Sequence, residues 1–180
     1  MDNRKDLLIE IGTEELPPKA LLRLSTAFRD GLERQLRDSA LDMTAIDTFA
    51  SPRRLALLVC GLVERQADQE LVRRGPAVQS SFGADGNPSQ AAIGFARSCG
   101  VEVADLERQT TDQGAWLISR QVQPGRATAE LLPGMVEQAL GGLPIPKRMR
   151  WGAGEEQFVR PVHWVCLVFG DQMVPGKVLG

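Results

Sequence analysis

The sequence predicts an α+β fold, a mainly antiparallel sheet covered by two or three helices, on three observations. Apolar runs flanked by turn residues pair as hairpins more often than they alternate as strand, helix, strand. Residues 54–63 are apolar on both alternating faces, the pattern of a strand flanked by other strands. Leu21, Leu24, Phe28, Leu32 and Leu36 recur at spacings of three and four, one apolar helical stripe that must lie on a sheet.

Residues 7–11 read as the first strand. Gly12 and Pro17-Pro18 then break the extended run, and the prolines suit a first helical turn, where their missing N–H is not needed. The helix that follows turns Arg23, Asp30, Arg34 and Arg37 away from its apolar stripe. Residues 44–50 and 54–63 read as two strands joined at Ser51-Pro52. Polarity rises over residues 64–86, where Arg73-Arg74-Gly75-Pro76 and Ser80-Ser81-Phe82-Gly83 mark loop, so this span is expected to be a connector. Asn87 as N-cap, Pro88 at the first helical position, apolar Ala92, Phe95, Ala96 and Cys99, and a closing Gly100 specify a short helix. Residues 107–111 and 116–122 flank Asp112-Gln113-Gly114 as a hairpin, closed by Pro124-Gly125. Leu131, Leu132, Met135, Val136, Ala139 and Leu140 repeat at helical spacing, and Pro133-Gly134 inside that pattern predicts a kink or two pieces. Residues 164–169 are strand-like, and Gly170-Asp171 is expected to turn them into a second strand over 173–179. The pattern stops midway, as it would in a piece cut from a larger protein.

Composition narrows the function classes. At 180 residues, 43% hydrophobic and 24% charged, the chain matches a globular domain with one affordable core rather than a disordered or fibrous one. A formal charge of −2 does not make the whole surface a nucleic-acid ligand, so any RNA contact has to come from a local cluster of Lys and Arg. Cys60, Cys99 and Cys166 are odd in number and far apart, with no C-x-x-C pair for zinc or redox chemistry, which suits a reducing cytoplasm. The charged N-terminus leads into too short an apolar run for a signal peptide or a membrane span.

The densest chemistry lies in Pro146-Lys147-Arg148-Met149-Arg150-Trp151-Gly152 and Phe158-Val159-Arg160-Pro161-Val162-His163-Trp164. With Leu8-Ile9-Glu10-Ile11-Gly12-Thr13-Glu14-Glu15-Leu16-Pro17-Pro18-Lys19-Ala20, Ser51-Pro52-Arg53-Arg54-Leu55-Ala56, Gly75-Pro76 and Ala91-Ala92-Ile93-Gly94-Phe95-Ala96-Arg97, they form an ordered series over nearly the whole chain. That series resembles the N-terminal region of the β subunit of bacterial heterotetrameric glycyl-tRNA synthetase. The resemblance implies a cytoplasmic enzyme of two α and two β chains that charges tRNA-Gly. Its α subunit would carry the class II site that uses ATP, with Mg, to make glycyl-adenylate. Residues 1–180 would be the N-terminal α+β domain, or a fragment of one, in a longer β subunit whose anticodon-binding C-terminal part is absent here. The resemblance transfers membership of the complex and no catalytic residue, so this piece is expected to be inactive alone and to bind no cofactor or membrane.

Read on their own chemistry, the motifs give mixed answers. Glu14-Glu15 could be a carboxylate pair for acid/base work, yet adjacent residues share no helix face, and just ahead of a proline-initiated helix they would favour its positive end. The run from Gly12 to Lys19 lacks the second glycine and the following Ser or Thr of a phosphate loop. His163 and Cys166 are too few to hold a metal. Arg53 and Arg54 could grip phosphate from a turn, or sit as a solvated or ion-paired turn. Lys147, Arg148, Arg150 and Arg160, with Trp151 able to stack on an unpaired base, form the stronger RNA candidate. Glu155 and Glu156 lie between them and could pair with the arginines, while Trp151 and Trp164 could anchor a core. Two readings follow: a non-catalytic module that touches tRNA, and a structural module that docks subunits or domains.

Overall fold

The computed structural model describes residues 3–83 and 86–180. The chain forms two compact units: one is built from the residues up to Ala67 together with Arg126–Gly180, the other from Asp68–Gly125.

The first unit is an antiparallel sheet of five strands: β1 (Arg4–Thr13), β2 (Ala45–Ser51), β3 (Arg54–Val63), β9 (Val162–Phe169) and β10 (Gln172–Met173), in the order β10-β9-β1-β3-β2. β3 is flanked on both sides, as its doubly apolar pattern predicts. Strand alternation sends Leu7, Ile9 and Ile11, Leu55, Leu57 and Val59, and Leu167 and Phe169 to one face, where all are buried. Two helices share that core, α1 (Leu21–Asp38) with buried Leu24, Phe28, Leu32 and Leu36, and α4 (Thr128–Gly141) with buried Leu132, Val136, Ala139 and Leu140. A 3-10 turn, Pro18–Ala20, leads into α1 with Pro18 at its first position, as expected. The Thr128 hydroxyl donates to Val63 O at 2.7 Å and fixes the start of α4 to the end of β3.

Two expectations for this unit need correction. Of the kink or two pieces expected at Pro133, the two pieces do not form: α4 runs through it as one helix. An interior proline costs about 3 kcal/mol, whereas each fully buried side chain returns about 1.5–3 kcal/mol, and Leu132, Met135 and Val136 are buried around it. The last strand holds only Gln172–Met173, because Pro175 cannot donate to a ladder. A small hairpin of β7 (Met149–Arg150) and β8 (Gln157–Phe158) precedes β9.

The second unit is a three-stranded antiparallel sheet in the order β4-β6-β5, made of β4 (Gln69–Ala77), β5 (Glu107–Thr111) and β6 (Gly114–Gln123), with α2 (Val78–Ser81) and α3 (Gln90–Cys99). The predicted hairpin is β5-β6. The expected connector, in contrast, contains β4: six of its nine residues are exposed, so hydrophobic alternation gave no signal. The helix starts two residues later than predicted, with Ser89 as N-cap accepting from Ala92 N at 3.3 Å, and Pro88 is taken up by a bridge to Phe82. Gly100 closes it in the left-handed conformation at φ 70°. Gly75 is a packing residue: a β-carbon there would lie 2.4 Å from Phe95 Cδ1, so only glycine lets that ring rest on β4.

Candidate functional site

The cations singled out by sequence separate into two groups. Arg53, Arg54 and Arg160 meet at one end of the five-stranded sheet. Here the loop leaving β1 is held by its backbone: Thr13 N donates to Arg53 O at 2.9 Å, Glu14 N to Pro161 O at 3.0 Å and Leu16 N to Pro52 O at 2.7 Å. Three motif segments distant in sequence therefore form one junction. Side chains complete it. Arg160 Nε donates to Glu15 O at 3.0 Å and its Nη1 to Val159 O at 2.9 Å, while Arg53 lies 3.8 Å from the Glu15 carboxylate. His163 Nε2 and Glu14 Oε1 are 3.0 Å apart, and Arg54 donates to Glu10 Oε1 at 3.0 Å.

Trp164 stands directly on Gly12, its cross-strand partner, where a β-carbon would be 2.3 Å from the indole. The Arg54 guanidinium lies 5.7 Å from the centre of that ring, within cation–π range. Glu14 and Glu15 are thus committed to His163 and Arg53 rather than to the start of α1, whose first turn holds no acid. The junction balances acids against bases and presents no nucleophile beside a base.

Lys147 and Arg148 lie between α4 and β7, Arg150 is in β7, and Trp151 is in the loop between β7 and β8. Arg148 is half-buried and donates to Gly141 O at 2.7 Å, with longer contacts to Leu143 O and Gln157 O. It closes the carbonyl-rich end of α4, where a cation is favoured. Arg150 pairs with Glu155 at 2.8 Å, one of the two intervening acids. Trp151 is half-buried against the core and lines, with Pro133, Trp164, Met173 and Val174, a cleft of about 520 Å³. Lys147 is exposed and pairs with no carboxylate among the described residues. Among the described residues no group of three or more His, Cys, Asp or Glu side chains could hold a metal ion.

Sequence reasoning missed the sheet's other face. Register puts Leu8 and Gly12 of β1, Ala56, Leu58 and Cys60 of β3, Phe49 of β2, Trp164, Cys166 and Val168 of β9 and Met173 of β10 on it together. Among the described residues no helix covers this face: Leu8 is 36% exposed, Trp164 42%, Phe49 56% and Met173 66%. The doubly apolar β3 was the one signal that could have revealed it.

The polar motifs of this unit thus hold its own loops. Comparison with known proteins supplies the family. The family described as glycyl-tRNA synthetase beta subunit matches residues 7–180, and the chain belongs to it. It is 50% identical over 178 residues to a glycine–tRNA ligase beta subunit of Hahella chejuensis, covering 99% of this chain and 26% of that relative. It is 51% identical over 176 residues to those of Histophilus somni and Tolumonas auensis, in each case 98% of this chain and 26% of the relative. The chain thus spans about a quarter of the length of the relatives it matches. Among the described residues no helix is long and apolar enough to cross a membrane.

Proposed function

We propose that the chain is a non-catalytic part of a glycine–tRNA ligase β subunit and supports ATP-dependent charging of tRNA-Gly by organising the assembly. Its partner is an α subunit, in an α2β2 complex working in the cytoplasm, whose class II site binds ATP with Mg and makes glycyl-adenylate. One observation supports the organising role above the others: four arginines of the motif segments are engaged within the chain. Arg148 closes α4, Arg160 holds the Glu15 carbonyl, Arg54 pairs with Glu10 and Arg150 with Glu155. A guanidinium engaged by carbonyl or carboxylate oxygens would have to surrender those contacts to turn fully towards a phosphate.

The experiment is a charging assay on the assembled synthetase carrying Arg160→Ala or Arg148→Ala. The expected result is a lower yield of complex with the KM for tRNA-Gly unchanged. A raised KM in a fully assembled complex would overturn this reading. A second reading, direct RNA contact, is favoured by Lys147, which is exposed and pairs with no carboxylate among the described residues.

A further inference from the structure

The uncovered face of the five-stranded sheet has chemistry of its own. We propose that this face is a docking surface for the remainder of the β subunit, which lays an apolar helical or sheet layer across it and turns the two-layer unit into a three-layer one. The inference rests on the chain being part of such a subunit.

Three observations carry it. The first is composition: ten residues on five neighbouring strands, from Phe49 across Ala56 and Leu8 to Trp164 and Met173, give a mainly apolar surface of large and small side chains, interrupted by Glu10 and Asp47. Single exposed hydrophobics are ordinary, but a patch spanning a whole sheet marks a contact. The second is charge. Glu10, between Ala56 and Cys166, is neutralised by Arg54 at 3.0 Å, and the other charged side chain set among these ten residues, Asp47 opposite Leu58, is acidic, which leaves little to attract a polyanion, so the occupant is apolar protein rather than RNA. The third is length. The relatives are about four times as long as this chain, 178 matched residues being 26% of one of them. A surface this apolar, left open in a subunit synthesised before it meets its partner, invites self-association, and covering it within the same chain removes that hazard.

Cys60 and Cys166 lie on this face, half-buried, whereas Cys99 is buried in the other unit, so native thiols report on its cover. The experiment compares the rates of Cys60 and Cys166 alkylation by iodoacetamide in this chain alone, in the full-length β subunit and in the assembled synthetase. Protection of both thiols at least tenfold in the isolated full-length β subunit, relative to this chain, is the expected result. Equal rates in those two preparations overturn the proposal, including the case where protection appears only after the α subunit is added. Phe49→Asp is the second probe: at 56% exposure it should leave the melting temperature of this chain unchanged and lower that of the full-length subunit. No change in the full-length subunit would equally overturn the proposal. Neither readout involves tRNA or charging, so failure here is separable from failure of the assembly role.

Discussion

The two units reach stability by different chemistry. Among the described residues the five-stranded unit has 23 buried hydrophobic residues in one cluster with α1 and α4. The three-stranded unit, in contrast, buries Ala92, Ala96, Cys99, Leu117 and Ile118 and relies on directed polar contacts. Arg120 bridges Glu70 at 2.7 Å and Glu107 at 3.3 Å across all three strands, and Arg74 stacks 3.6 Å from the Trp116 ring centre. Arg73 donates to Ser98 O and Gln121 to Cys99 O, tying α3 to β4 and β6. One unit is held by burial and the other by geometry. A change that removes volume should therefore damage the first most, while a change that disturbs close approach should damage the second.

The largest expected effect tests the burial side. Phe28→Ala or Leu57→Ala, each at a site with no exposure, should cost about 3–5 and 2–5 kcal/mol respectively in urea unfolding of the chain. A loss below 1 kcal/mol would mean that the core is not close-packed. Next comes Gly75→Ala, which places a methyl group against the Phe95 ring and should cost roughly 1–3 kcal/mol, the penalty of overpacking. Retained stability would show that the ring rotates away freely. Arg148→Ala should then cost about 1–2 kcal/mol by uncapping α4, measured as reduced hydrogen-exchange protection of its last turn. The smallest effect is in pH. The hydrogen bond and charge of Arg4 hold the Asp42 carboxyl below its ordinary range. A carboxylate with a depressed folded value contributes stability above its unfolded pKa and loses it as pH falls through the folded one. Asp42→Asn should therefore lower stability slightly at neutral pH, where the charged pair contributes, and flatten the acid limb of a stability–pH curve below about pH 4, where that contribution is already lost.

The same division explains what the sequence disclosed. Where burial is the organising force the pattern was plain: Leu24, Phe28, Leu32 and Leu36 mark the sheet-facing stripe of α1, and Leu55, Leu57 and Val59 one face of β3. Where side chains are paired rather than buried it was silent. β4 carries Glu70, Arg73 and Arg74 with no alternation, and its strand character comes from partners on β6 that no local window contains. The candidate site shows the same split. The motif arginines were found by residue type, but a guanidinium looks alike in sequence whether it is saturated or free. Only the fold brings Arg160 to the Glu15 carbonyl, 145 positions away, and Arg148 to the end of α4.

The central claim is that the basic segment holds the chain together rather than gripping RNA. The direct test is the affinity of this chain for tRNA-Gly across a salt series, comparing the native sequence with a Lys147→Glu, Arg150→Glu variant that spares the Arg148 cap. The account predicts no salt-sensitive binding at low ionic strength and no difference between the two proteins. Binding that falls steeply with salt and disappears in the variant would contradict it and make the segment a phosphate-contact surface.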